Sequence, residues 1–342
     1  MRRMVLAGVA IAALGTGPAH GYSNLFAFGD SLTDGGNAYY YTSSMNALPP
    51  LNWPPTPPGL QRFSNGLTAA ELLAPMLGLP AIQRSSLPGG TNYAVGGATT
   101  DTRNYNYEIN YPAGLPSTLQ NTGMLSQYTL YKQFFDSAHP NVSDALFFLW
   151  GGPNDIFLGA ATGGSNGAAL AAATAVTNLA SLVQGLAING GARHFVVLNM
   201  PDLGSTPGGT ASGNAAGLTF LSGEFNKGLA IAMGQVEAAL PAIDITVFDT
   251  FALLANVTAN PGAFGISNVT SPCLGSLAAI SAGCKTPDGK AYLYFDEVHP
   301  TTFTNAILAN AVYAQLVPEP GTWAMLAAGL LVLAFAVRRR IA

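Results

Sequence analysis

The sequence has few charged side chains. Only 9% of its 342 residues are Asp, Glu, Lys or Arg, against about 25% in ordinary soluble proteins. A chain that is 49% apolar and carries so little charge is not a disordered polyelectrolyte, and its length allows it to bury a large core. Its 40 glycines and 23 prolines show no three-residue period, which excludes a collagen-like helix.

Basic residues are scarce in the body of the chain. Five of the thirteen Lys and Arg residues lie at its two ends, so residues 22–337 contain eight basic and seventeen acidic side chains, a net charge of −9. An acidic body repels nucleic acids and anionic membrane surfaces, so no nucleic-acid partner is expected.

The N-terminus has the parts of a secretory signal peptide. Two arginines precede the apolar run Met4–Leu14, and Ala19-His20-Gly21 has the small-x-small pattern of a cleavage site. An N-terminal anchor helix is the alternative, but the run is shorter than the roughly 17–25 residues that span a bilayer. We expect the secretion machinery to export the chain and residues 1–21 to be removed.

The C-terminal segment, residues 317–342, begins Val317-Pro318-Glu319-Pro320, continues through the uncharged stretch Trp323–Val337 and ends near three arginines. This order resembles the PEP-CTERM sorting signal of Gram-negative bacteria. The resemblance implies a transient precursor in the inner membrane, cleavage by an exosortase near Pro318–Pro320, and release to the cell surface or extracellular matrix. A permanent C-terminal anchor is the alternative.

The two cysteines, Cys273 and Cys284, lie in the loop-like stretch Ser271–Gly289. Export allows them to form a disulfide that closes a small loop, and two free thiols are the alternative. Without a nearby histidine pattern they fall short of the four ligands of a structural zinc site, so no metal is expected.

Between residues 22 and 316, short apolar runs alternate with helical patterns. The runs predict buried strands at Leu25–Phe28, Asn92–Val95, Ala145–Trp150, His194–Leu198 and Ile245–Phe248. The helical patterns predict helices at Thr68–Leu77, Gln120–Phe135, Ser165 or Asn166 to about Leu186, Leu221–Leu240 and Thr302–Leu316. This alternation favours a parallel sheet with helices on both faces and a site at the C-terminal ends of the strands.

Glycine-rich polar turns follow four of these strands. Glycine allows the backbone to approach a ligand closely, and four such turns in succession indicate a site at one edge of the sheet. The turns are Gly29–Asn37, which contains Asp30-Ser31-Leu32, then Gly96-Gly97-Ala98, Gly151-Gly152-Pro153-Asn154-Asp155 and Asn199-Met200-Pro201-Asp202-Leu203-Gly204.

Four histidines are available as a general base. His20 leaves with the signal peptide, His139 lies in a predicted loop, and His194 begins a strand at the end away from the expected site. His299 remains, and Asp296 lies three residues before it, a spacing that lets a carboxylate on a turn orient the imidazole. A serine hydroxyl needs such a base to act as a nucleophile near neutral pH.

Four blocks of the chain resemble those of the GDSL, or SGNH, esterases and lipases, in the same order: Gly29-Asp30-Ser31-Leu32, Asn92–Ala98, Gly152–Asp155 and Asp296 with His299-Pro300. The likeness extends from Leu25 to about Leu316 and is nearest to secreted bacterial phospholipases, haemolysins and autotransporter esterases. It implies an α/β fold, a flavodoxin-like three-layer α/β/α sandwich with a central parallel sheet. It also implies hydrolysis of carboxylic esters, of acyl or phospholipid type, without a cofactor.

The resemblance also assigns roles by position. Ser31 becomes the nucleophile, His299 the general base and Asp296 the carboxylate that orients it. The backbone N–H groups of Ser31 and Gly97 and the side-chain amide of Asn154 become the donors to the oxyanion.

Some residues inside these blocks have less direct assignments. Gly97 is preferred to Gly96 because the family's glycine lies five residues after the asparagine of its block. Four polar residues are expected to shape turns or surround the site rather than perform chemistry: Asp30, Asp34, Asn37 and Asp155.

Two other functions remain open. A carbohydrate O-acetyl esterase would use the same groups on an acetylated extracellular polysaccharide, and a non-catalytic surface or matrix protein would keep only the fold. The presence of Ser31, Asn154 and His299 favours an enzyme. Several aromatic segments suit an acyl pocket, sugar stacking or simple loop packing: Tyr39-Tyr40-Tyr41, Leu51–Leu60 with Trp53, Tyr105, Tyr107 and Tyr111.

We expect the mature protein from its native host to begin near Tyr22 and to end near Pro318–Pro320, because each end carries a processing signal. Intact-mass spectrometry measures both ends at once. A mass that includes Trp323–Ala342 would show that the C-terminal segment is a lasting anchor. The native host is essential, because a host without exosortase would leave the segment uncut.

Overall fold

A computed structural model describes residues 21–43, 61–109, 115–276, 279–280, 284, 292–317 and 329. The predicted signal peptide up to residue 20, the segment Leu51–Leu60, Tyr111 and the cleavage site at Pro318–Pro320 lie outside the described residues.

The unit Tyr22–Leu316 contains all the helices and strands named below. The strands are β1 (Leu25–Gly29), β2 (Leu146–Trp150), β3 (His194–Leu198), β4 (Asp244–Phe248), β5 (Asn268–Pro272), β6 (Leu274–Ser276), β7 (Ala279–Ile280) and β8 (Tyr292–Tyr294). The helices are α1 (Asn37–Ser43), α2 (Ala69–Met76), α3 (Tyr105–Glu108), α4 (Met124–Ala138), α5 (Pro153–Gly190), α6 (Pro207–Ala211), α7 (Ala215–Ala239), α8 (Thr250–Ala259) and α9 (Thr302–Leu316).

Four strands form a parallel sheet in the order β1-β2-β3-β4. Neighbouring residues of β2, Phe147 and Phe148, are both fully buried although they point to opposite faces. Continuous apolar runs of this kind are expected where helices cover both faces of a parallel sheet. The α/β class and the central parallel sheet predicted from the sequence are confirmed.

Helices form a layer on each face of the sheet. Helices α4, α5 and α7 pack on one face, against Phe26, Phe28, Phe147 and Phe195. On the other face α9 packs against α2 and β4. The three layers place the loops after β1, β2 and β3 at one edge, where the sequence predicts the site.

The predicted strand Asn92–Val95 runs beside β1 without forming a regular strand. Its backbone N–H groups donate to the carbonyls of Ala27 and Gly29 at 2.7 and 3.1 Å, in the expected parallel direction, but a single bridge pairs Ala27 with Asn92. On its outer side the Asn37 amide donates to two carbonyls of the segment, at 2.8 and 2.9 Å. On the same side the Asn92 N–H donates to the Gln83 carbonyl at 2.8 Å, and the Ser85 N–H donates to the Asn92 carbonyl at 2.7 Å. A side chain and a short backbone segment together cover this edge, which protects it from pairing with other chains.

The third predicted helix is part of the longer helix α5, which begins at Pro153 rather than at Ser165 or Asn166. Proline suits a first helical position because its fixed φ is helical and its missing N–H is not needed there. Gly164 has a non-helical φ of 59°, so the predicted start lies just after a break inside the helix. By length and composition α5 is apolar enough to cross a membrane, but its buried face packs on α4 and α7 as part of the core.

Cys273 and Cys284 are joined by a disulfide, with their Cα atoms 5.5 Å apart. The bonded pair packs against Phe295, which directly precedes Asp296. The disulfide therefore lies behind the turn that carries Asp296 and His299.

The buried carboxylate of Asp34 joins two turns at the edge of the sheet. It accepts hydrogen bonds from the backbone N–H groups of Gly36, Asn37 and Ala38 at 2.7 to 3.0 Å. It also accepts one from the N–H of Gly96 at 2.8 Å. The turn after β1 and the glycine turn that follows residue 95 are thereby fixed to each other.

We expect Asp34→Ala to lower the free energy of unfolding by about 3 kcal/mol or more, because it leaves several buried N–H groups without an acceptor. Denaturant titration of the mutant and the wild type measures the loss. Asp136→Ala is the matched control, since Asp136 is exposed and pairs with Lys132 on the same helix. It should change the free energy by no more than about 0.5 kcal/mol. Equal losses in the two variants would contradict the role given to Asp34.

Candidate active site

Ser31 lies at the C-terminal end of β1, on a turn that the backbone geometry requires. β1 ends at Gly29, where a Cβ would lie 2.3 Å from the Trp150 carbonyl oxygen of the neighbouring strand. The Asp30 carboxylate then accepts from the Leu32 N–H at 3.0 Å, and its carbonyl accepts from the N–H of Asp34 at 3.0 Å. This tight turn places the Ser31 side chain at the edge of the sheet.

His299 lies on the turn between β8 and α9. The Asp296 carboxylate shapes this turn by accepting from the backbone N–H groups of Val298 and His299, at 2.9 and 2.8 Å. The same carboxylate lies 2.7 Å from His299 Nδ1. His299 Nε2 lies 2.7 Å from Ser31 Oγ. The structure thus brings together, in one hydrogen-bonded line, three residues that span 268 positions of the sequence.

Asp296 and His299 shift each other's pKa. Burial alone would raise the pKa of the Asp296 carboxyl and lower that of the His299 imidazole. Their mutual attraction and hydrogen bond outweigh burial, with further help for Asp296 from the N–H groups it accepts. The pKa of Asp296 therefore lies below its usual range, and the pKa of His299 lies above its usual range.

Asn154 occupies the first turn of α5 and points toward Ser31's turn. Its side-chain amide donates to the Ala98 carbonyl at 3.0 Å and to the Asp30 carboxylate at 3.3 Å. Burial raises the pKa of Asp30 to about 7, although the Leu32 N–H and the charge of His299 act in the opposite direction. Asp30, expected to shape a turn, is therefore also a direct partner of Asn154.

Gly97 lies next to Gly96 on the same turn. Its φ is +81°, a conformation that strongly favours glycine. A Cβ on Gly97 would also lie 2.3 Å from Asn106 Nδ2. The Gly97 carbonyl accepts from the Tyr105 N–H at 2.7 Å, which fixes the turn to α3. Both the positive φ and the lack of space for a Cβ therefore require glycine at position 97.

All five predicted site residues line one pocket of about 200 Å³. Ser31, His299 and Asn154 contribute polar groups to its wall, which is otherwise largely apolar. The apolar and aromatic members of the wall are Leu32, Phe63, Tyr105, Pro153, Phe157, Pro201, Leu203 and Val298. Of the aromatic segments predicted as a possible pocket wall, Tyr105 is in it, whereas Tyr41 packs in a separate cluster.

Sequence reasoning missed much of this wall. Phe63, Phe157 and Leu203 come from a loop, a helix and a short 3₁₀ turn that lie far apart in the sequence. None of them is a residue type with catalytic chemistry, and no periodic pattern connects them. A signal was present in the sequence only near two of them: the glycine-rich turn before Phe157 and the predicted turn Asn199–Gly204, which contains Leu203.

The other two described histidines lie elsewhere. His194 begins β3, at the end of the sheet opposite to Ser31, and pairs with Asp244. His139 is exposed at the left-handed C-cap of α4. The residues that the structure describes contain no group of three His, Cys, Asp or Glu side chains placed to bind a metal ion.

Comparison with known proteins identifies the family. Residues 25–312 match the GDSL-like lipase/acylhydrolase family, and residues 316–340 match the PEP-CTERM protein-sorting motif. Because the first match covers most of the sequence, the chain belongs to the GDSL-like lipase/acylhydrolase family.

Relatives occur in bacteria and plants. The chain is 31% identical over 315 residues to an uncharacterized protein of the trpE–trpG intergenic region of Pseudomonas putida, covering 86% of this chain and 48% of that protein. It is 29% identical to the esterase EstA of Pseudomonas aeruginosa, and the alignment covers 91% of this chain and 50% of that protein. A GDSL esterase/lipase of Arabidopsis thaliana is 26% identical, covering 84% of each chain. The chain spans about half the length of the two Pseudomonas relatives.

Among solved structures, a catalytic mutant of an acetylxylan esterase from Geobacillus stearothermophilus aligns with a TM-score of 0.42. The two chains are 14% identical, and the alignment covers 87% of this chain and 94% of that one.

We expect Asp296→Asn to lower the pKa of His299, because the substitution removes the carboxylate charge that raises it while burial remains. Titration of the His299 imidazole by NMR measures the change. Asp244→Asn removes a carboxylate beside His194 instead and is the matched control, which should leave the His299 titration as in the wild type. An unchanged pKa of His299 in Asp296→Asn would show that the two side chains are not coupled.

Proposed function

We propose that the chain is a serine esterase that hydrolyses carboxylic esters, with Ser31 as the nucleophile. The observation that carries the proposal is the line of contacts from Ser31 Oγ to His299 Nε2 and from His299 Nδ1 to Asp296, at 2.7 Å each. Membership of the GDSL-like lipase/acylhydrolase family supports the same class of reaction.

His299 moves the proton in each half of the proposed reaction. As Ser31 Oγ attacks the ester carbonyl carbon, its proton passes to His299 Nε2, and Asp296 stabilises the imidazolium that forms. The proton then passes to the leaving alcohol as the C–O bond breaks, giving an acyl-enzyme. Water repeats the sequence, releasing the carboxylic acid and restoring the Ser31 hydroxyl.

The oxyanion donors act when negative charge develops on the carbonyl oxygen. We assign this role to the N–H groups of Ser31 and Gly97 and to the Asn154 amide. The contact of Asn154 with Asp30, at 3.3 Å, is longer than its contact with Ala98, so the substrate oxygen would replace Asp30 as an acceptor. Loss of one such donor typically costs about 100-fold to 1,000-fold in rate.

An acyl group is the substrate part that the pocket suits best. Its wall is mainly aromatic and aliphatic, with Phe63, Phe157 and Leu203 facing the space beside Ser31. A volume of about 200 Å³ is small for a ligand pocket, which favours short acyl chains. The same volume admits an acetyl group, so an acetylated polysaccharide is the second candidate substrate.

The proposed place of action is outside the cell. The PEP-CTERM motif at residues 316–340 supports export, exosortase processing and delivery to the cell surface or matrix. The ester substrate would then be extracellular lipid or polysaccharide.

We expect Ser31→Ala and His299→Ala to abolish hydrolysis of p-nitrophenyl acetate, because nucleophile and base act as a unit. Asp296→Asn should lower kcat by up to about 10,000-fold, since the amide favours the wrong imidazole tautomer. The kcat/KM of each variant is measured beside circular dichroism, which confirms folding. His139→Ala and His194→Ala are the matched controls and should stay near wild-type activity.

Two outcomes would contradict parts of this proposal. A folded Ser31→Ala variant with more than trace activity would place the nucleophile elsewhere. A series of p-nitrophenyl esters of increasing acyl length, run beside acetylated xylan, separates the two candidate substrates. A strong preference for xylan would exclude the acyl-chain proposal.

A further inference from the structure

We propose that Phe63 is a positioning residue that keeps the His299 imidazole at a fixed spacing from the Gly96-Gly97 turn, so that the base and the oxyanion donors remain in register. The proposal rests on the esterase function proposed above. The Phe63 ring is 6% exposed and its centroid lies 5.2 Å from that of the His299 ring, at an interplanar angle of 40°.

The Phe63 ring also lies against Gly96, beside the cluster that it forms with Ala38, Val95 and Leu119. A Cβ on Gly96 would lie 2.1 Å from Cε2 and 2.2 Å from Cζ of Phe63, so the ring lies directly against the glycine backbone. Gly96 is itself fixed, because its N–H donates to Asp34 and its carbonyl accepts from Asn104, both at 2.8 Å. Its φ is not among the positive values, so the ring, and not the backbone conformation, accounts for glycine here.

The segment that carries Phe63 is bonded to the chain just after His299. The Ser64 hydroxyl donates to the Pro300 carbonyl at 2.9 Å, and the two groups are buried. The Asn65 side chain accepts from the Thr302 N–H at 2.8 Å. The ring is therefore tethered to the histidine turn on one side and pressed against the glycine turn on the other.

This arrangement fixes the distance between the His299 ring and the Gly96-Gly97 turn, which no hydrogen bond described above joins directly. His299 is bonded to Ser31 and Asp296, but its spacing from the glycine turn depends on what lies between them. A misplacement of about 1 Å in a catalytic group can cost about 100-fold in rate. The ring also covers one side of the imidazole and so strengthens its interaction with Asp296 by excluding water.

A double-mutant cycle tests the proposal on the full chain, with p-nitrophenyl acetate as the probe. The variants are Phe63→Ala, Gly96→Ala and the two combined, with Phe63→Leu as the conservative change. We expect Phe63→Ala to lower kcat by about 10-fold to 100-fold, with KM changed by less than about threefold. Phe63→Leu, which keeps part of the contact, should recover part of that loss.

Gly96→Ala alone should lower kcat by at least about tenfold, because its Cβ forces the Phe63 ring to shift. In the Phe63→Ala background the same substitution should cost no more than about twofold, since its steric partner is gone. Gly190→Ala is the matched control: its Cβ would lie 2.9 Å from the Tyr131 ring, at the end of α5 remote from Ser31. It should lower the melting temperature and leave kcat unchanged.

Three results would overturn the inference. The first is a wild-type kcat in both Phe63→Leu and Phe63→Ala. The second is a loss of kcat on Gly96→Ala that is equally large in the Phe63→Ala background. The third is a change in KM of the Phe63 variants without any loss of kcat. If the Gly96→Ala variant does not fold, the kcat values of Phe63→Ala and Phe63→Leu alone test the inference. Failure of the esterase proposal is separate, because the wild type would then not hydrolyse the probe.

Discussion

The site depends on one buried carboxylate more than on any strand. Asp34 accepts backbone N–H groups from its own turn and from Gly96, and so joins the loop that carries Ser31 to the loop that carries Gly97. A carboxylate in this position is costly to bury, and its pKa is raised to about 6 by burial despite four such hydrogen bonds. In return, the Asp34 carboxylate fixes the two loops to each other beyond the point where the backbone bonds between Asn92–Val95 and β1 end.

The third part of the site reaches the other two by a different route. His299 lies on a turn that its own Asp296 shapes, and that turn is attached to the loop of Ser64 and Asn65 rather than to the sheet. Loops can carry precise chemistry when a rigid scaffold and buried hydrogen bonds determine their position. Here each loop of the site is bonded to another loop, and the parallel sheet brings the loops to one common edge.

The parallel sheet and the candidate site residues could be predicted because each produces a recognisable pattern within a short stretch of sequence. Buried parallel strands are continuous apolar runs, and β1 and β3 were predicted almost to the residue. Ser31 and His299 stand beside glycine or carboxylate residues whose spacing has a chemical reason. The structure places them in contact, while their roles stay a proposal.

The features that could not be predicted from the sequence are those that depend on contacts between distant residues. The segment Asn92–Val95 has the composition of a strand, but Asn37 bonds its outer edge, and no local pattern shows that. The start of α5 at Pro153 was hidden because the same residues suit a functional turn. Phe63 has no chemical group to attract attention, and its role emerges only from the ring and the glycine it touches.

Helix α9 runs between the turn that carries His299 and the segment in which cleavage is proposed. The helix starts at Thr302, three residues after His299, and ends at the buried Leu316, where the match to the sorting motif begins. Removal of that signal at Pro318 would leave the helix whole with almost no spare length. A protease that trimmed one helical turn further would withdraw Leu316 from the core and loosen the scaffold behind the base. The end of α9 therefore limits how far toward the N-terminus the proposed cleavage could move without opening the core.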